Sequence, residues 1–173
     1  MSKKYELVVD DTITLWGWKL FRIKALIRFG SVDAGDLGGY VCTEDNLSQE
    51  GDAWVSGNAK VWGNAKVSGD AKVSDNAKVW GDAKVWGNAE VWGNAEVSGD
   101  AKVSDFGDVI VFKNHWSSGR HFTYTKSNKM WRVGCFYGTG QELIDKAYRD
   151  SEKSGNFYKA YVEFIASLEG LGE

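Results

Sequence analysis

Residues 53–103 read AWVSGN AKVWGN AKVSGD AKVSDN AKVWGD AKVWGN AEVWGN AEVSGD AKV, a run in which Ala-x-Val recurs every six residues nine times without a break. Self-similarity at a fixed short period marks a solenoid. A six-residue period matches neither 3.6 nor 3.5 residues per turn, and glycine in most repeats argues further against a helix. Between the Ala-x-Val units stand Gly-Asn, Gly-Asp or Asp-Asn pairs such as Gly63-Asn64 and Asp75-Asn76, residue types that tolerate tight turns and positive φ. Each hexapeptide is therefore a short strand followed by a corner.

Within a strand such as Ala65-Lys66-Val67-Ser68, alternation sends Ala and Val to one face and Lys and Ser to the other. The Ala/Val face is expected inside. The charged position (Lys60, Lys66, Lys78, Lys84, Glu90, Glu96) cannot be buried unpaired in rung after rung. Three hexapeptides close one coil of eighteen residues, so nine make three coils that rise about 14 Å at ordinary strand spacing. Side chains eighteen apart should then stack. Asn58, Asn76 and Asn94 would share one corner, Lys72 would lie over Glu90 and Lys78 over Glu96, and Trp62 would sit on Trp80.

A solenoid needs covered ends, because each terminal coil exposes a row of unpaired backbone groups. Upstream, residues 20–26 alternate like a strand, and residues 36–41 read as a turn leading into the first coil. Downstream, residues 109–112, 121–125 and 131–137 read as three strands, with turns at 117–119 and 127–128. Thr139-Gly140-Gln141-Glu142 is a capping-box pattern before a helix carrying Leu143, Ile144, Ala147 and Tyr148 on one face, with Gly155 as its stop. In a second helix, Phe157, Tyr161, Phe164 and Leu168 form an apolar stripe. The expected fold is mainly β: an N-terminal β cap (1–46), a parallel β-helix solenoid (47–108) and a C-terminal β-β-β-α-α module (109–173).

The repeat resembles the hexapeptide-repeat family, whose members form left-handed parallel β-helices and commonly assemble as trimers. Residues 29–40, 44–48 and 51–55 are similar to the start of hexapeptide-repeat proteins of phage and prophage genomes, and the Gly134-Cys135-Phe136 passage into the helix resembles tails of such proteins. The left hand, the homotrimer and a host-cell cytoplasmic setting are what the resemblance implies. Enzymes of the family, the hexapeptide acyltransferases, typically use a histidine in or beside the solenoid. Here no histidine precedes His115. The zinc-dependent branch needs three histidines, and this chain has two, His115 and His121.

The constellation that best suits ligand binding is His115, Trp116, Ser117, Ser118, Gly119, Arg120, His121 and Tyr124 with Arg132. Residues 106–135 carry five Lys or Arg against one Asp, a basic patch in a chain of net charge −3. The Ser-Ser-Gly turn offers backbone N–H groups, Arg120 a fork for phosphate or carboxylate, and Trp116 or Tyr124 a ring for stacking. The competing reading is an ordinary hairpin whose aromatics pack on the following helices. The basic residues form no extended stripe of the kind nucleic acid needs. Trp54, Trp62, Trp80, Trp86 and Trp92 project outward from the repeats, a candidate oligomer or partner interface.

No run approaches the length of a membrane span, residues 1–11 lack a signal-peptide core, and Cys42 and Cys135 lack metal-ligand spacing, which together point to a cytoplasmic protein with reduced thiols and no cofactor or metal. The function expected is non-catalytic: assembly through the β-helix and binding of a host protein or a nucleotide-like anionic ligand, with interference in host antiviral defence as its concrete form. The alternatives are an atypical hexapeptide acyltransferase and a structural assembly module.

Overall fold

The structure, a computed structural model, describes residues 2–172. Strands β1 (Tyr5–Leu15) and β2 (Trp18–Ala25) form an antiparallel hairpin, and β3 (Leu37–Val41) pairs with β2. The turn residues Trp16 and Gly17 both have positive φ, 49° and 84°, the geometry that matches hairpin twist. Strand β1 has no counterpart in the sequence expectation. Its register jumps from Val8↔Arg22 to Thr12↔Phe21, so three residues bulge out and the two-residue alternation is broken. Residues 37–41, expected as part of a turn, are a strand because β3 continues the stack: Tyr40 pairs with Lys60 and Val41 with Val61, in parallel.

The repeats form nine two-residue rungs: β4 (Trp54–Val55), β5 (Lys60–Val61), β6 (Lys66–Val67), β7 (Lys72–Val73), β8 (Lys78–Val79), β9 (Lys84–Val85), β10 (Glu90–Val91), β11 (Glu96–Val97) and β12 (Lys102–Val103). They stack into three parallel sheets, β5-β8-β11 continuing β1-β2-β3, then β4-β7-β10 and β6-β9-β12. The chain is a β-solenoid. Every repeat Ala and Val from 53 to 103 is at most 1% exposed, which places the faces as the alternation required. At the corners, glycine takes φ near +65°, and a Cβ on Gly81 would stand 3.1 Å from the backbone N of Gly99 in the next coil.

The eighteen-residue stacking is present. Trp62 and Trp80 are parallel to within 3° at 5.1 Å, Lys72 is in register with Glu90, and Lys78 Nζ lies 3.9 Å from Glu96. Asn58, Asn76 and Asn94 occupy one corner, where Asn58 N donates to Asp75 O and Asn76 N to Gly93 O, both at 2.9 Å. Their side chains do not bond to one another among the described residues; Asn94 turns to His121, and the side-chain ladder bond forms instead from Asn64 to Asp82, 3.1 Å.

Between coils the upper rung donates N–H groups to the coil below, as Lys60 N to Ala77 O and Trp62 N to Val79 O, and accepts from it in between, so the top coil leaves carbonyls such as Ala53 O and the bottom coil leaves N–H groups without ladder partners. At the top, Asn46 is 1% exposed, donates to Gly63 O and Ala65 O, and accepts from Cys42 N and Thr43 N. Lys4 Nζ donates to Ala53 O at 2.8 Å and Gly51 O at 3.2 Å, and burial lowers its ammonium to about 8 against the opposing pull of Asp52. Asn46→Leu leaves the buried Ala65 O and the part-buried Gly63 O and Thr43 N without this partner, while Cys42 N keeps Val61 O, at about 1–3 kcal/mol for each buried group before relaxation. Urea unfolding of that variant should show a loss of at least about 2 kcal/mol.

At the bottom, the chain leaves the solenoid through a 3-10 turn (Phe106–Asp108) and forms a four-stranded antiparallel sheet, β13 (Val109–Lys113), β14 (His121–Thr125), β15 (Met130–Val133) and β16 (Phe136–Thr139). Three strands were expected. Gly134, at φ 56°, makes a two-residue turn that splits 131–137 and brings Val133 opposite Phe136. Helices α1 (Gly140–Asp150) and α2 (Glu152–Leu171) pack on this sheet. Thr139 caps α1 by accepting from Glu142 N. The break falls at Ser151, not Gly155; Gly155 lies inside α2, where a Cβ would stand 2.2 Å from the Tyr148 ring. The buried face of α2 is Tyr158 and Ile165, rotated from the expected stripe, and it leaves Phe164 and Leu168 49% and 38% exposed. No helix among the described residues is long and apolar enough to cross a membrane.

Candidate functional site

The predicted ligand-binding segment divides in two. Its first half is consumed by packing. Trp116 lies flat on Phe157 (4.6 Å, 5°) with Nε1 donating to Ser154, and His115 meets Phe157 edge-on at 5.3 Å. Asn114, 4% exposed, accepts from the backbone N–H groups of Trp116 and Ser117 and from the Ser117 hydroxyl. The N–H of Gly119 goes to Asn114 O, and that of Arg120 to the Ser118 hydroxyl. The N–H groups of Trp116, Ser117, Gly119 and Arg120 are thus satisfied locally. Tyr124 is 3% exposed and donates to Glu169, and burial and that carboxylate push its phenol well up. Neither Trp116 nor Tyr124 is available for stacking. In this half the aromatics Trp116 and Tyr124 contact α2 through Phe157, Ser154 and Glu169.

The second half, Arg120, His121 and Arg132, faces the solenoid across a cleft of about 590 Å³ that Trp16, Asn94, Glu96, Gly134 and Cys135 complete. Each wall has its own origin. The β1-β2 turn delivers Trp16, 65% exposed, edge-on to Trp62 and Trp80 at 5.6 and 5.7 Å. The lowest coil supplies Asn94, whose amide lies 3.2 Å from His121 Nδ1, and Glu96, whose backbone N–H donates to Thr123 Oγ1 at 3.0 Å. Strand β15 supplies Arg132.

Arg132 is held rigidly. Its guanidinium lies 4.9 Å from the Trp80 ring and 4.7 Å from that of Tyr137, and its Nε and Nη2 donate to Ser98 Oγ at 3.2 and 2.9 Å. Burial lowers its pKa, and the nearby Glu96 carboxylate opposes that. Burial raises the Glu96 carboxyl, while Lys78 and Arg132 pull it back. Arg120 is different. It is exposed, passes close to Gly134, and its guanidinium has no hydrogen-bond or ion-pair partner among the described residues. One fixed and one free guanidinium therefore line the same cleft as an exposed indole, whose ring has Lys78 Nζ at 5.5 Å, and a half-buried carboxyl group.

Sequence reasoning missed Trp16, Asn94, Glu96, Gly134 and Cys135. The stacking rule already set Glu96 beneath Lys78, but nothing local reveals that the first hairpin folds over the solenoid to place Trp16 beside them.

The five candidate interface tryptophans also divide. The N-terminal hairpin and the residues after it cover Trp54, 7% exposed beneath Phe29 and Tyr5, and Trp62, 2% exposed beneath Trp16. These two pack within the chain and cannot serve a partner. Trp80 is half-buried in the same stack, whereas Trp86 and Trp92 are 37% and 63% exposed on two different faces of the prism. Compared with known proteins, the chain matches no family model and no curated sequence, so the reading of the cleft rests on its own residues.

Proposed function

We propose that the chain is a non-catalytic binding protein whose cleft takes an anionic ligand carrying a planar ring, of nucleotide-like chemistry. The observation that supports this most is the free Arg120 guanidinium beside a fixed Arg132, in one cleft with the exposed Trp16 indole. A phosphate matches the planar fork of arginine, a nucleobase matches the indole face, and Asn94 and Glu96 can read polar ring edges. The exposed Trp86 and Trp92 support assembly through outer faces of the solenoid, with a homotrimer as the form that the hexapeptide-repeat resemblance implies. In the phage-type setting of that resemblance, sequestering a nucleotide signal of host defence is the corresponding role.

Calorimetric titration with purine mononucleotides, diphosphates and cyclic dinucleotides tests the reading. Saturable binding is expected, and Arg120→Ala combined with Trp16→Ala should weaken it at least about tenfold, which corresponds to about 1.4 kcal/mol. Trp116→Ala, by contrast, should cost stability through its contacts with Phe157. Flat titrations with the whole panel, or binding indifferent to the double substitution, would contradict the assignment.

A further inference from the structure

The bottom of the solenoid has three edges, one per face; the third has both its ladder donors satisfied and the first has one of two. On the first, Glu96 N donates to Thr123 Oγ1 (3.0 Å), and Ser98 N has no acceptor among the described residues. On the third, Lys102 N donates to Ser127 Oγ (2.8 Å) and Ser104 N to Asp108 Oδ2 (2.9 Å). The second face has no such closure. There the ladder runs from Trp54 N to Ala71 O and Ser56 N to Val73 O, then from Lys72 N to Ala89 O and Ser74 N to Val91 O, all at 2.8–3.0 Å. One rung lower, the N–H groups of Glu90 and Trp92 continue the series and have no acceptor among the described residues.

The cause is topological. The next rung of this face would fall eighteen residues after Glu90 and Val91, at Asp108 and Val109; Val109 still packs on the solenoid core, but β13 pairs only with β14 and forms no ladder with β10. Strand β13 is itself the outer strand of its sheet. Between the β10 edge and β13 lies a slot of about 450 Å³, lined by Glu90 to Ala95 above and by Phe106, Val109, Val111 and His121 below. A Cβ on Gly93 would meet nothing within 4 Å, whereas one on Gly99, the next corner of the same coil, would collide with Tyr137. Around the slot stand Trp92, Phe106 and Val111, which are 63%, 73% and 36% exposed.

We propose that this slot is a docking site for an extended peptide strand of a partner protein, which adds the missing fourth rung beneath β10. Unpaired ladder donors flanked by apolar side chains are what strand addition recognises: backbone hydrogen bonds supply affinity and alternate side chains supply selectivity. The peptide runs parallel to β10, offers its carbonyl groups to Glu90 and Trp92, points small aliphatic residues towards the bore, and lays its other side chains on Trp92 and Phe106. A second copy cannot supply this rung by stacking its own solenoid end to end, because of the two matching carbonyls at the top of that face Ala53 O is taken by Lys4 and Val55 O is covered by Gly38, where a Cβ would stand 2.5 Å from it. This slot and the Arg120 cleft share Asn94 and His121 as a common wall, but Glu90 and Trp92 lie outside the cleft, and the inference stands without the nucleotide reading.

The test uses the full chain, labelled with nitrogen-15, and a blocked nonapeptide copying residues 71–79, the rung that β10 itself accepts from above. In the free protein the amides of Glu90 and Trp92 should exchange fast while those of Lys72 and Ser74 are protected. Millimolar peptide should slow exchange at Glu90 and Trp92 by at least about tenfold, and the same peptide with both valines replaced by aspartate should not. Trp92→Glu should weaken binding about tenfold. Thermal unfolding unchanged in that variant keeps the comparison valid, and Phe106→Glu provides a second, independent one. Three outcomes overturn the proposal: amides at 90 and 92 protected at every dilution without peptide, protection that depends on protein concentration alone, which would mean that a second copy fills the slot, or no protection by the copied peptide.

Discussion

Val79→Asp is expected to abolish the folded solenoid, with a cost on the order of 5 kcal/mol or more, while Lys66→Gln changes stability by no more than about 0.5 kcal/mol. Val79 is 0% exposed and lies between Val61 and Val97 in the middle of the longest stack. A carboxylate there has only alanine and valine around it, and an isolated charge in an apolar interior has no compensating partner. Lys66, in the same kind of two-residue strand, points outward in register with Lys84, which is in register with Lys102. Like charges stacked on neighbouring strands repel, so removing one at position 66 should be neutral or slightly favourable. Urea unfolding of both variants reads the difference. Comparable losses would mean that the two faces of the rung are reversed.

Trp62→Ala is the second large effect, about 3–5 kcal/mol, the usual range for truncating a buried aromatic. Although Trp62 projects from the outer side of its rung, it is 2% exposed because Leu20, Tyr40 and the Trp16 turn close over it. Its ring stacks on Trp80 and receives Trp16 edge-on, so the truncation leaves a void beneath the hairpin and loosens one wall of the ligand cleft. Trp92→Ala, at a position equivalent in the repeat but 63% exposed, should be nearly silent. Thermal unfolding of the pair separates intrachain packing from a partner surface. If Trp62→Ala is as mild as Trp92→Ala, the hairpin does not bind the solenoid as described.

The contrast between Trp62 and Trp92 shows where the sequence stops being informative. Both occupy the position after the rung valine, and the repeat dictates that both point away from the bore. Whether that outside is solvent or protein depends on β1 and β2, about forty residues upstream, whose pairing is interrupted by the bulge at 9–11 and carries no clean period. Periodicity therefore sufficed for the prism, the inward Ala and Val, and the pairs Lys72/Glu90 and Lys78/Glu96, because each depends only on a fixed offset. It did not suffice for anything built by covering the prism. Arg120, His121 and Arg132 were recognisable as a basic cluster, yet their counterparts Trp16, Asn94 and Glu96 come from two other parts of the chain. Trp116 and Tyr124 went the other way, since an aromatic in a short hairpin serves equally well for stacking a ligand or packing a helix, and α2 claimed both. In α2 the stripe built on Phe157 was one step out of phase, because Tyr158 and Ile165 face the sheet once Gly155 admits the ring of Tyr148.

The central structural claim, coils of eighteen residues that set each side chain directly over its predecessor, is tested most directly by crosslinking. Neighbouring parallel strands place paired Cα atoms about 4.8 Å apart, within the span of a disulfide. In a Cys135→Ser background, cysteines introduced at Lys66 and Lys84, which are register partners, should oxidise rapidly and completely within one chain. Cysteines at Lys66 and Lys78, closer in sequence but on different faces, should remain as free thiols. Efficient closure of the 66–78 pair with failure of 66–84 would contradict the stacked prism and, with it, the cleft and the slot that its lowest coil creates.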